Sequence, residues 1–304
     1  MSQRARSIAA GAALAAAVVT LPVLALVLRS GHAALPAAST TSDTIAKPRL
    51  PPPGGVVLAR ESGRLGVVLS ARRARGRLGL TATVLSPSGG GASGLRVVFR
   101  GGGGSATARP CGSGCYSAAL RGSPRRVVVL VGGTTVPFDL PRRAPSADAL
   151  VRRSARALRS TRSLMIDERL ASSPTRSILA RFEIAAPNRL TYRIAGGSDA
   201  VVIGSRRWDR ASHREPWVES GQTPLSLPAV PWGGRAQDAR LVGQTPRLWI
   251  VTLLDPDIPS WFELRIDKRT LRPTEVRMIA ASHFMRDRYS RYDEPLRIRP
   301  PRAR

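Results

Sequence analysis

Lysine, histidine and cysteine are all scarce in this 304-residue chain. Of its 48 basic residues only Lys47 and Lys268 are lysines, the histidines are His32, His213 and His283, and the cysteines are Cys111 and Cys115. So few imidazole and thiol groups exclude zinc-finger arrays, His-rich metalloenzymes and disulfide-dense scaffolds. Acids are the other shortage: 20 Asp and Glu leave a formal net charge of +28. Residues 1–145 hold 19 basic residues against three acids, Asp43, Glu61 and Asp139. A half-chain so poor in carboxylates is drawn to polyanions, lipid headgroups or nucleic acid. The arginine bias, beside so much Ala and Gly, reads as the codon usage of a GC-rich genome. Hydrophobic residues still make up 42%, so a packed core is within reach, and the length suits one large domain or two ordinary ones.

The N-terminus decides between the two polyanions. Arg4 and Arg6 precede an uncharged apolar stretch, Ile8–Leu28. A helix over those residues spans about 30 Å of hydrocarbon at ~1.5 Å per residue. Residues 1–30 therefore read as a signal peptide or an N-terminal membrane anchor (a transmembrane helix), with Gly31-His32-Ala33 offering a small-residue cleavage site. Either way the remainder is expected to be extracytoplasmic, anchored to the cytoplasmic membrane or secreted. No nucleic-acid partner is expected.

Residues 31–54 read as a Pro/Ala/Ser-rich tether that packs against nothing, ending in Leu50-Pro-Pro-Pro-Gly-Gly55. Between it and a second proline seam at Pro137–Pro145, seven short strands alternate with glycine turns, as in Leu78-Gly-Leu-Thr-Ala-Thr-Val84. That pattern predicts a small immunoglobulin-like β-sandwich over 55–141. The second half opens with a helical pattern, 146–158, whose apolar face is expected at Ala149, Leu150, Ala157 and Leu158. Strands follow almost to the end. A helix and then a meander of long strands predicts, for 146–304, one curved antiparallel sheet (a half-barrel) with the helix packed against it. The fold class is thus mainly β, of α+β layout.

Several runs in the second half resemble a known family. Arg206-Arg-Trp-Asp-Arg210, Trp217 and Trp261-Phe-Glu-Leu-Arg-Ile-Asp-Lys-Arg-Thr-Leu-Arg-Pro273 are similar to the LolA-like (LppX-like) lipoprotein-carrier fold, where a strand ending in an Asp-x-x-x-x-x-Pro turn leads into the next strand. Met278–Tyr292 and Pro295–Pro300 resemble the tail of actinobacterial members. Pro110-Cys-Gly-Ser-Gly-Cys-Tyr116 resembles a β-domain found beside CopD-type copper-resistance membrane segments. The sequence departs from those patterns in having no multi-span membrane region and no cysteine near the end of the apolar stretch. The resemblance implies an acyl-chain cavity in the second domain, with a membrane lipid or a lipoprotein acyl chain as partner, the membrane surface as its setting and an envelope membrane protein as a further partner.

The residues themselves offer three functions. The first is apolar-ligand binding. Trp208, Trp249 and Trp261 are expected to wall the cavity, with Trp232 in a Pro224–Gly234 lid and His283, Phe284 and Tyr289 near the mouth, where arginines meet anionic headgroups. The second is copper handling. Cys111 and Cys115 are expected to form a local disulfide, but as thiolates they are also a copper(I) clamp, and His283 and Met285 at i, i+2 would share a strand face with Met278 nearby. The third is a structural interaction module with no small ligand. His213, with Asp209 and Glu215 close in sequence, reads as a polar hairpin loop. No nucleophile elbow or phosphate loop occurs, so no catalytic constellation and no cofactor are expected.

Overall fold

The computed structural model describes residues 47–302 apart from 64, 87–89, 174–175, 233–235 and 281–282. The apolar stretch Ile8–Leu28 and most of the tether lie outside the described residues. Among those described, no helix is long and apolar enough to cross a membrane.

The chain is mainly β, and all its sheets are antiparallel. Nine strands fill the first unit: β1 (Val56–Ser62), β2 (Leu65–Ala74), β3 (Arg77–Leu85), β4 (Val97–Gly101), β5 (Gly104–Thr107), β6 (Arg109–Gly112), β7 (Cys115–Arg121), β8 (Arg126–Val131) and β9 (Thr134–Asp139). They form two sheets, ordered β1-β2-β3-β7-β6 and β5-β4-β8-β9. The alternation read in β3 puts Leu78, Leu80, Ala82 and Val84 in one core with Val97, Phe99, Val127 and Val129 of the other sheet. The two strands the sequence pattern does not show, β5 and β6, are four-residue segments without apolar alternation, held by main-chain pairing to β4 and β7. The Tyr116 hydroxyl donates to the Ala92 carbonyl (2.7 Å) and accepts from the Leu95 amide (3.0 Å), pinning the connection before β4.

Cys111 and Cys115 are joined in a disulfide, leaving no free cysteine among the described residues. Gly114 between them has φ +64°, and a Cβ there would stand 2.6 Å from the Gly91 Cα, so the turn needs glycine twice over. The end of the tether does pack, contrary to expectation. Pro48 and Pro51 are buried, Leu50 joins an apolar cluster, and the Arg49 amide donates to Ser113 O (3.0 Å) while its guanidinium reaches Cys111 O (2.6 Å). Prolines that have little entropy to lose are readily held once one main-chain bond anchors them.

The second unit is one helix, α1 (Asp148–Arg159), and eleven strands: β10 (Ser163–Ser173), β11 (Arg176–Ala185), β12 (Arg189–Ile194), β13 (Asp199–Ile203), β14 (Arg206–Arg210), β15 (Val218–Gly221), β16 (Gln237–Gln244), β17 (Leu248–Asp255), β18 (Ser260–Asp267), β19 (Pro273–Ala280) and β20 (His283–Ser290). They make a single open sheet, β15-β14-β13-β12-β11-β10-β20-β19-β18-β17-β16, so the first and last strands meet in its middle. The helix buries Val151, Ser154, Ala155 and Leu158; of the expected face Leu158 is buried and Leu150 and Ala157 are half-buried, whereas Ala149 is exposed. Asp148 in its first turn and Arg156 and Arg159 in its last complement the helix dipole.

The sheet curls around the segment 224–232. The Leu227 amide donates to Pro187 O (2.8 Å), in the β11–β12 turn, whereas Trp232 lies beside α1 and Ala239 of β16. Five residues reach at most ~18 Å, yet β12 and β16 are seven strand spacings apart, about 34 Å in a flat sheet. The Asp267–Pro273 turn has the predicted form. Asp267 Oδ1 accepts from the Arg269 and Thr270 amides (3.0 and 2.9 Å) and the Thr270 hydroxyl. Burial opposes ionisation of Asp267, but these bonds and that from Arg247 outweigh it and hold its carboxyl at about 2.

Candidate functional site

Strand alternation gives the eleven-stranded sheet two chemically different faces. On the outer face, Glu275 of β19 accepts from Arg277 Nε and Arg286 Nη2 (both 2.7 Å), with Arg265 and Arg288 at 3.8 and 3.9 Å. Burial works against its ionisation. The Arg286 hydrogen bond and the Arg277 and Arg265 charges outweigh that and keep its carboxyl below the ordinary glutamate value. Beyond this ladder the outer face turns apolar. Trp261, Ile279 and Phe284 pack against Val57, Val68 and Leu85 of the sandwich, joining the two units. The approach is close: a Cβ on Gly66 would meet Ile279 Cγ2 at 3.0 Å and Phe284 Cε1 at 3.1 Å.

The inner face is apolar across β10–β13 and β16–β20 and shares one core with α1 and the segment 224–232. Two carboxylates interrupt it where β10 meets β20. Glu168 of β10 stands directly opposite Asp287 of β20, and Ile166 opposite Tyr289. Asp287 is 2% exposed; its Oδ2 accepts from the Tyr289 hydroxyl (3.4 Å), and its Oδ1 has no partner. Burial pushes the Glu168 carboxyl up to about 7. Asp287 is raised well above the ordinary aspartate value by burial first and then by the Glu168 charge, the Tyr289 bond offsetting part of it. Tyr289 is raised too, by burial and then by the Asp287 charge. No arginine is among the neighbours that shift these groups, in contrast to Glu275.

Two spaces adjoin this face. One is a cavity of ≈ 30 Å³ over the carboxylates, floored by Ile166, Glu168, Phe182, Asp287 and Tyr289 and roofed by Leu227, Ala229 and Pro231. It has room for a water or two and none for an acyl chain. The other is an open groove of ≈ 440 Å³ along α1, with Val151, Ala155, Trp232 and Ala239 on its apolar side and Arg152, Arg156 and Arg159, together with Asp148, as its rim. Among the described residues these three guanidinium groups make no ion pair or hydrogen bond. Trp232 is 1% exposed, and its indole N–H finds no acceptor. The segment 227–232 is the common wall: Trp232 borders the groove, and Leu227, Ala229 and Pro231 border the cavity.

The residues expected at the site divide between the two faces. Trp232 and Tyr289 lie inside, as does the half-buried Trp249, with Lys268 Nζ 5.9 Å from its ring. Trp208 and Trp261, expected in the wall, and Phe284, expected at the mouth, are on the outer face, because each occupies the other parity of its strand. Trp208 packs with Val201 and Ile298 of the C-terminal tail and donates to Glu219 Oε2 (3.0 Å). His283 shares the inner parity with Met285, and Met285 stands opposite Met278, as the copper alternative required. The disulfide withdraws Cys111 and Cys115 from that alternative. His213 pairs with Asp199 (2.8 Å), not with Asp209 or Glu215. The Pro224–Gly234 segment is packed rather than poised open, with Leu225, Leu227 and Trp232 all buried in the core; its last residues, Gly233 and Gly234, lie outside the described residues.

Glu168, Asp287 and the arginine rim were not singled out from sequence, although Asp287 sits at i±2 from the apolar Met285 and Tyr289, which is a parity signal. No protein-family model matches the chain, and no curated protein matches it.

Proposed function

We propose that this is an exported, membrane-associated, non-enzymatic protein that binds an anionic amphiphile, a lipid or lipoprotein acyl chain, on the inner face of its eleven-stranded sheet. The observation that carries this reading is the groove beside α1. Three arginines at i, i+4 and i+7 form one stripe along an apolar floor; Asp148, one turn before Arg152, is the acid that lines the same groove, and among the described residues it makes no ion pair with them. Guanidinium forks suit carboxylate and phosphate oxygens, and the Trp232 N–H supplies a further buried donor. The headgroup sits on this rim, and the chain runs under the segment 224–232 toward the cavity over Glu168 and Asp287. Each methylene buried there contributes about 0.8 kcal/mol.

Entry requires that segment to shift, against the burial of Leu225, Leu227 and Trp232 in the core. The segment is irregular, carries Pro224, Pro228 and Pro231, and is tied to the sheet by the Leu227–Pro187 backbone bond. The chain would replace the contacts of Leu225 and Leu227 with its own. Export rests on Arg4, Arg6 and the Ile8–Leu28 stretch. The fold assignment that accompanies this function is an immunoglobulin-like sandwich followed by a LolA-like half-barrel.

Native mass spectrometry of the full chain, purified from a membrane-containing host, tests the reading. Co-purified mass in the lipid range, lost on organic extraction and much reduced in an Arg152→Glu/Arg156→Glu variant, is the expected result. Bare polypeptide in every preparation would instead favour an interaction module.

A further inference from the structure

The inner carboxylates have no structural explanation. Asp287 is 2% exposed, faces the ≈ 30 Å³ cavity and leaves Oδ1 without a hydrogen bond; Glu168 stands opposite it across the β10–β20 ladder and lines the same cavity. A buried acceptor left unsatisfied costs stability unless something else meets it. Every other wall of the cavity is apolar except the Tyr289 hydroxyl, which already donates to Asp287 Oδ2. Asp287 Oδ1 is an acceptor that meets no donor among the described residues. The cavity also lies at the inner end of the path from the arginine rim, separated from the groove only by residues 227–232.

We infer that Asp287 and Glu168 form the end-recognition subsite of the cavity and take an amphiphile whose chain carries a hydrogen-bond donor, a hydroxyl or an amine, remote from its anionic head. This rests on the proposed binding function and adds ligand class to it. A plain hydrocarbon end arriving at Asp287 Oδ1 would complete its desolvation without a bond. A donor end would satisfy it with a hydrogen bond. A site built around a buried acceptor rejects the ligand that lacks the donor more strongly than an apolar pocket rejects a polar one.

The test is a competition read by native mass spectrometry. The full chain in non-ionic detergent micelles is mixed with equal amounts of dodecanoate and 12-hydroxydodecanoate, and the ratio of the two bound species is measured for the wild type and for Asp287→Leu. Comparing the two proteins cancels the unequal partition of the probes into micelles. The wild type should prefer the hydroxylated probe by roughly tenfold over the Asp287→Leu ratio, as one hydrogen bond to a buried acceptor predicts. Asp287→Asn, which keeps the shape and loses the acid, guards against a folding defect and should fall between the two. Equal ratios in all three proteins, with both probes bound, would overturn the subsite and leave the groove reading standing. Binding of neither probe to the wild type would overturn both.

Discussion

The two faces of the eleven-stranded sheet treat the same functional group in opposite ways. On the outer face Glu275 is ringed by Arg265, Arg277, Arg286 and Arg288 and held ionised. One residue along β20 from Arg286, on the inner face, Asp287 meets another carboxylate, and both are pushed toward their protonated forms. Strand parity alone separates the two environments. Burial raises a carboxyl, and compensating charge decides whether it stays raised. An acid with four arginines is part of the scaffold, whereas the proposed subsite is an acid left with an unpaired oxygen over a cavity.

The tryptophans give the largest contrast. Trp232→Ala and Trp261→Ala each empty a fully buried indole site and should each cost about 3–5 kcal/mol in chemical denaturation. Only Trp232→Ala should also abolish lipid retention, because Trp261 faces the sandwich. Equal loss of retention in both variants would dissolve the distinction between the faces. Next come the acids. Asp287→Leu should stabilise the protein by about 1–3 kcal/mol, since a buried carboxyl with an unpaired oxygen is replaced by a hydrocarbon. Glu275→Leu should destabilise it by about 1–3 kcal/mol, since its partly exposed arginines lose their common counter-charge. Matching signs would show that the two faces do not differ electrostatically.

The remaining effects are smaller. Replacing Cys111 and Cys115 by Ser opens a short loop and should cost about 2 kcal/mol on the chain-entropy relation, without changing ligand retention, since the disulfide is in the sandwich. The pH dependence separates the acids a last time. Glu168 binds its proton more tightly folded, near 7, than unfolded, near 4.5. Stability from this site is therefore full below about 4.5 and is lost as pH rises through 7, by no more than ~1.4 kcal/mol per pH unit for one proton. Asp267 runs the other way. Its stabilisation is present above the unfolded value of 3.8 and lost as pH falls toward 2. The falling limb between pH 4.5 and 7 should vanish in a Glu168→Leu/Asp287→Leu double variant, and its persistence there would assign it to other groups.

Much of the fold was legible because its signals are local. The alternation of Leu78 to Val84, the Asp267–Pro273 turn and the helix following the 137–145 seam are all set by residues near one another in sequence. Strand parity was harder to read in the second domain, because the outer face is itself apolar where the sandwich docks. Trp261 and Phe284 are as hydrophobic as Phe262 and Met285, and a strand buried on both sides loses the alternation that tells its faces apart. That is why two of the three expected wall tryptophans, Trp208 and Trp261, lie on the outer face. The carboxylate pair is a product of the β10–β20 pairing, joining residues more than a hundred positions apart, and no spacing within the chain announces it. The arginine rim was visible as a helix-dipole pattern. Its second role depends on Trp232 arriving beside it.

The most direct measurement is quenching of tryptophan fluorescence by a brominated dodecanoate, comparing the full chain with its Trp232→Phe and Trp261→Phe variants. If an acyl chain occupies the inner face through the groove beside α1, quenching should be strong in the wild type, unchanged in Trp261→Phe and reduced by about half or more in Trp232→Phe. Quenching that survives in Trp232→Phe and disappears in Trp261→Phe would place the ligand between the two domains instead and contradict the inner-face site.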